Sequence, residues 1–265
     1  MSEAEAPKTG LDLAHAAMDA APDDETARLR FYERLADSEM FLLLTSEADG
    51  DQVEPEIFDV ADARFVLVFD REDRLAQFTG RISPYVALSG RAITAMLTGQ
   101  GIGLAVNPEV APSSILIPPE AVDWLAQTLA GGPTEAEARP EEILPPVGLP
   151  EVLLGALDAK LATAMGLARF AYLAAVKYEG GTQSHLLGFI DAMPGAEPAL
   201  ASAVNEALTF SGIEAGALDV AFFAASDPLA AALARHGLRF DLPQPVEPPQ
   251  RPAPGSDPDS PPILR

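Results

Sequence analysis

The chain has 265 residues, with 40 acidic against 17 basic side chains, a formal charge of −23 and no cysteine. That charge repels phosphate backbones and anionic lipid surfaces and no Lys/Arg-rich run reverses it locally, so neither nucleic acid nor membrane is expected as a partner. The absence of thiols rules out disulfide frameworks and thiolate zinc sites, while 48% hydrophobic residues suffice to fill a core.

The first twenty residues carry Glu3, Glu5, Asp12 and Asp19 and no apolar stretch of signal length, which argues against export. The longest apolar runs, such as 65–69 and 220–225, are strand-sized and far short of a membrane span. A soluble, cytoplasmic protein is the expectation.

Apolar periodicity predicts helices over 11–21 and 24–36, the second opened by Asp23 or Asp24 as N-cap. Strands follow at 41–45 and 64–69, then a short helix at 73–78, a strand at 85–88 and a helix at 91–97. Strands at 102–106 and 114–117 and a helix at 119–129, with Pro near its start and Gly131 past its end, complete a first unit over residues 1–132. Fourteen of the 25 prolines lie in two short segments, 133–150 and 243–265; the first reads as an interdomain linker and the second as a disordered tail.

Between them, residues 151–242 form a second unit. Its predicted order is a helix at 151–164, strands at 170–178 and 185–191 joined by Glu179-Gly180-Gly181-Thr182, a helix at 199–210, a strand at 217–224, a helix at 228–235 and a strand at 238–240. The fold class is therefore α+β: two mixed α/β domains, each a small sheet with helices packed on it, joined by the Pro-rich linker.

Motifs that carry chemistry fail on spacing. Gly99, Gly101 and Gly103 lack the third glycine of a dinucleotide fingerprint, since position 104 is Leu, and they precede a strand instead of following one. They read as a helix cap and turn. His15 with Asp12 and Asp19 shares a helix face, which reads as a solvated face because no second histidine is near. His236-Gly237 closes a helix, with Gly as a left-handed cap. Ser184, His185 and Asp191 have the residue types of a hydrolase triad, but strand alternation sends Ser184 and His185 to opposite faces. Asp49-Gly50-Asp51 opens like a calcium loop and then departs from it at Val53, Glu54 and Val60. Asp70 and Asp73 read as helix-start residues, and Trp124 as a core or interface aromatic.

No catalytic residue, metal ligand or cofactor is assigned. Two candidate surfaces remain. Asn107, Pro108, Ser113 and Ser114 form a polar loop after a strand, expected to be exposed and available to a small polar ligand or a partner. Between Arg34 and Arg64 there are nine carboxylates and no base, and Glu47, Asp49, Asp51, Glu54, Glu56, Asp59 and Asp62 form an acidic face suited to a basic protein partner.

Phe41-Leu42-Leu43-Leu44, then Phe65 to Phe69, then Gly101-Ile102-Gly103-Leu104-Ala105-Val106-Asn107-Pro108 leading to Trp124-Leu125, resembles the SseB N-terminal domain, whose signature is a strand ending in Asn-Pro. Ala171 to Val176, His185 to Asp191 and Leu218 to Phe223 resemble the SseB C-terminal domain. The resemblance implies this two-domain architecture. The family is named for enhanced serine sensitivity, a cellular phenotype, and it supplies no catalytic residue, cofactor or substrate. The expected function is a non-enzymatic protein-binding or regulatory module. The alternatives are a small-molecule sensor, for instance of an amino acid, and, less favoured, a hydrolase or transferase with an unfamiliar site.

Overall fold

A computed structural model describes residues 7–245, apart from 49, 51–52, 61–62, 132–139, 180 and 214–217. The chain opens with helices α1 (Gly10–Ala20) and α2 (Glu25–Asp37). Thr9 and Asp12 form a reciprocal capping box on α1, and the Asp24 side chain accepts from the Thr26 N–H to start α2. Strands β1 (Glu39–Leu43), β2 (Ile57–Val60) and β3 (Ala63–Phe69) follow, then α3 (Glu72–Thr79), β4 (Tyr85–Ser89), α4 (Gly90–Leu97), β5 (Ile102–Val106), β6 (Ile115–Ile117) and α5 (Pro119–Ala130).

The first sheet has the order β4-β1-β3-β5-β6, and β2 pairs with the first half of β3 while β1 pairs with its end. Alternation along β3 separates two layers. Val66 and Val68 join Leu104 and Val106 beneath α1, α2, α4 and α5, while Phe65, Leu67 and Phe69 pack under Leu75 and Phe78 of α3. Both faces are covered, which is why β3 is apolar at nearly every position.

Next come β7 (Pro140–Leu144), α6 (Glu151–Leu161), β8 (Phe170–Tyr178), β9 (Gln183–Ile190), α7 (Glu197–Phe210), β10 (Leu218–Phe223), α8 (Pro228–His236) and β11 (Leu238–Asp241). The second sheet has the order β10-β9-β8-β11, with β7 beside the last part of β8. Helices α6 and α7 cover one face through Leu157, Leu200 and Val204, and α8 covers the other through Ala230 and Leu233. Eight helices and two mixed sheets among the described residues make this an α+β fold.

Residues 140–144, assigned to the linker on their prolines, form β7. Pro140 is tolerated because it begins an edge strand, where its missing N–H breaks no ladder. Strand β2 is likewise an addition to the predicted elements. Residues 133–139 of the linker and 246–265 of the tail lie outside the described residues. Gly237 closes α8 with φ −83, so it is not a left-handed cap; a Cβ there would lie 2.8 Å from the Leu233 carbonyl.

The two sheets share a four-strand plan. In each, a central antiparallel pair (β1/β3, β8/β9) is flanked by one strand antiparallel to the first member (β4, β11) and one parallel to the second (β5, β10). The chain fills the outer positions in opposite order, β4 before β5 in the first sheet and β10 before β11 in the second.

The units also share a core. Phe210, at the end of α7, is fully buried among Leu29, Phe31 and the other residues of the first sheet's helical layer. Asn205 of α7 donates to the Gly131 carbonyl. No helix among the described residues is long and apolar enough to cross a membrane.

Candidate functional site

Strand β3 leads into α3 on one face of the first sheet, and β5 leads through β6 to α5 on the other. The carboxyl ends of β3 and β5 therefore form a topological switch point, the place where open α/β sheets leave a crevice for ligands. Asn107 sits there. Its φ of 45° turns the chain immediately after β5, its N–H donates to the Val68 carbonyl (2.9 Å), and its Oδ1 accepts from the Asp70 N–H (3.1 Å). Asn tolerates this left-handed conformation better than most residues.

The second sheet repeats the device. Asp191 ends β9 with φ 51°, its N–H donates to the Phe223 carbonyl (3.0 Å), and its Oδ1 accepts from the Ala225 N–H (2.8 Å).

In the first sheet the crevice is filled from α1. Arg74, one turn along α3 from Asp70, donates through Nη1 and Nη2 to the two carboxylate oxygens of Asp12 (3.1 and 2.6 Å) and through Nη1 to Asp70 (2.7 Å). The Ser113 hydroxyl donates to Asp12 Oδ1 (2.6 Å) and accepts from Asn107 Nδ2 (2.9 Å). The Thr9 N–H donates to Asp12 Oδ2 (2.9 Å), and its hydroxyl donates to Asp70 (2.5 Å). Asp12, Arg74, Asn107 and Ser113 are all buried. Burial alone raises the Asp12 carboxyl's pKa, but hydrogen bonds from Arg74, Ser113 and Thr9 outweigh it and hold the group well below the usual carboxylate range.

Asn107 and Ser113 are thus not the exposed loop residues expected from the sequence. They are buried because the chain folds back over the strand end and α1 closes on top. Pro108 is half-buried, and Ser114 is exposed, with its hydroxyl accepting from the Glu109 N–H. Asp70 is no helix cap either: the N-cap of α3 is Arg71, which makes no side-chain cap hydrogen bond. Asp12 faces Arg74 rather than sharing a solvated face with His15, whose ring instead meets Phe31 edge-on.

A second buried ion network joins the two units. Glu206 of α7 accepts bidentately from Arg91 of α4 (3.0 and 3.0 Å) and lies 2.9 Å from Lys160 of α6; Lys160 also reaches Asp37 and Glu33 of α2. Burial raises the pKa of Glu206, but Arg91 and Lys160 more than reverse it. Burial, reinforced by Asp37, leaves Glu33 raised. Sequence reading missed both networks, since partners such as Asp37 and Lys160 lie 123 positions apart.

On the acidic face, Glu47, Glu54 and Asp59 are exposed and Glu56 is half-buried; Asp49, Asp51 and Asp62 lie outside the described residues. Asp59 belongs to β2, whose Ile57 and Val60 are also exposed. None of these four acids has an ion-pair partner among the described residues.

The histidines stay apart: His185 Nε2 lies 3.1 Å from the Val147 carbonyl, and His236 borders a groove of about 410 Å³ lined by Pro146, Leu149, Leu154 and Leu238. Trp124 packs edge-on against Tyr32 with ring centres 5.3 Å apart.

Residues 13–124 match the SseB protein N-terminal domain family, a span that contains Asp70, Arg74, Asn107 and Ser113 and begins just after Thr9 and Asp12. No curated protein and no solved structure matches the chain.

Proposed function

Through residues 13–124 the chain belongs to the SseB family, and we propose that it acts as a non-enzymatic, cytoplasmic protein-binding module that docks a basic partner on the acidic face around β2. The observation that carries this reading is the combination on one edge of the first sheet. Glu47, Glu54 and Asp59 are exposed and unpaired among the described residues, beside exposed Ile57 and Val60. Carboxylates accelerate encounter with a positively charged surface, and the apolar side chains then supply area to bury. In contrast, the buried carboxylates of both ion networks already have cations. We also read residues 151–242 as the C-terminal domain of the same family, a reading supported by the order of β8, β9 and β10 along the segments that carry the resemblance.

The test is affinity capture from cell extract at low salt with the full chain and with a variant carrying Glu47→Gln, Glu54→Gln, Glu56→Gln and Asp59→Asn. A partner held by the parent chain, released as ionic strength rises and absent from the variant, is the expected result. Equal recovery by both proteins would remove the acidic face from the proposal.

A further inference from the structure

We propose that the crevice over the carboxyl ends of β3 and β5 is a binding site for a small organic carboxylate, closed in this chain by Asp12 of α1, which occupies it as a ligand supplied in cis. This inference is independent of the acidic docking face.

The donor set is that of a carboxylate receptor. Arg74 presents its fork to both oxygens of one carboxylate, the arrangement that gives bidentate recognition its strength and direction. Asn107 donates to Ser113, which leaves the Ser113 hydrogen free to point at the same carboxylate. The side chains of Arg74 and Asn107, and of Asp70 beside Arg74, come from the ends of β3 and β5 or the first turns after them, while the carboxylate itself comes from a helix about sixty residues earlier in the chain. The second sheet supplies an internal comparison. Its strand-end turn at Asp191 is built from the same backbone and side-chain hydrogen bonds, yet Asp191 is exposed and, among the described residues, no α1-like helix delivers a carboxylate to it. The turn at Asn107 therefore does not need Asp12 for its own geometry. What Asp12 adds is occupancy of Arg74 and Ser113.

Asp70 also contacts Arg74, so the site without Asp12 is close to neutral. It takes one carboxylate, with hydrogen bonds providing most of the attraction. Replacing Asp12 by Ala removes the carboxylate and keeps Cβ, so the space opened is that of an anion the size of formate. A carboxylate bound there and the docked Asp12 side chain are mutually exclusive.

The experiment uses the full chain with Asp12→Ala, melted at neutral pH in formate, acetate, benzoate or chloride at equal ionic strength. Formate is expected to raise its melting temperature saturably, by about 3–5 °C at tenfold excess over the dissociation constant, and acetate, whose methyl meets the remaining Cβ, by less. Benzoate, too large for the space, and chloride should not. The parent chain, already occupied, should show no difference among the four salts. Asp12→Asn refills the space with an amide and should also be indifferent. Adding Arg74→Met to Asp12→Ala should abolish the formate effect. If Asp12→Ala is unfolded in chloride, refolding on titration with formate becomes the readout. An equal response to formate and chloride in Asp12→Ala, a formate effect that survives Arg74→Met, or failure of formate to refold the variant would each overturn the proposal.

Discussion

Phe210→Ala tests whether the two sheets form one folding unit. Phe210 belongs to α7, a helix of the second unit, yet its ring is fully buried in the core of the first. Truncating such a ring removes its transfer free energy and leaves a cavity, at a cost of about 3–5 kcal/mol. With a urea dependence of about 2–3 kcal/mol/M, the unfolding midpoint should fall by about 1–2 M. Trp124 is the only tryptophan and lies in α5 of the first unit, so its fluorescence reports that unit, while far-UV circular dichroism reports both. The two probes should shift together and stay coincident. If the Trp124 transition keeps the parent midpoint while the dichroism transition moves ahead of it, the units are independent and the shared core has no energetic weight.

The ion network between the units predicts opposite effects for two neighbouring acids. Glu206→Gln should destabilise at neutral pH by about 3–5 kcal/mol, because Lys160 loses a partner while still buried. The Glu206 carboxyl is held below its usual 4.5, so its contribution is present above that pH and is lost as pH falls; the penalty should shrink in acid. Glu33 is raised, so its stabilising form is the protonated one, present below 4.5 and lost as pH rises. Glu33→Gln should therefore melt above the parent near pH 8 and alongside it near pH 4. Gly90→Ala places a Cβ 2.0 Å from the Leu35 carbonyl oxygen and should cost about 1–3 kcal/mol by forcing α4 off α2, whereas Gly155→Ala, with nothing within 4 Å on the exposed side of α6, should gain about 0.5–1 kcal/mol in the same melts. Asn107→Gly keeps the backbone turn but loses both side-chain hydrogen bonds, at about 1–3 kcal/mol; Asn107→Ala should cost about 1 kcal/mol more for the left-handed strain, as read from urea midpoints.

Element type was legible almost throughout, because both sheets are covered on two faces and their strands stand out as apolar runs bounded by turns. Strand β5 falls on the predicted residues, and Asp24 caps α2 as its position suggested. The misses share a cause. Strand β2 reads Ile-Phe-Asp-Val in an acidic stretch, and β7 begins with proline and carries two glutamates. Both are short additions to a strand already paired elsewhere, so little of their sequence had to become apolar. The site was legible only as residues of interest. Asn107 and Ser113 were singled out as an exposed loop, but a polar loop after a strand reads the same whether water or a helix lies above it.

What the sequence determined by itself was the alternation of helices and strands, the acidity concentrated before residue 133 and the absence of thiol chemistry, since each depends on composition or on neighbours a few residues apart. Only the tertiary structure decided that Asp12 meets Arg74 and Ser113, that Glu206 joins Arg91 to Lys160, and that Phe210 completes the core of the other unit. Asp12 and Arg74 are 62 positions apart and Arg91 and Glu206 are 115 apart, separations that no local pattern spans. Each participant taken singly has an ordinary local explanation as a cap, a surface ion or a helix end. Burial is what turns such residues into partners, because a charge removed from water must find its counter-charge within the fold.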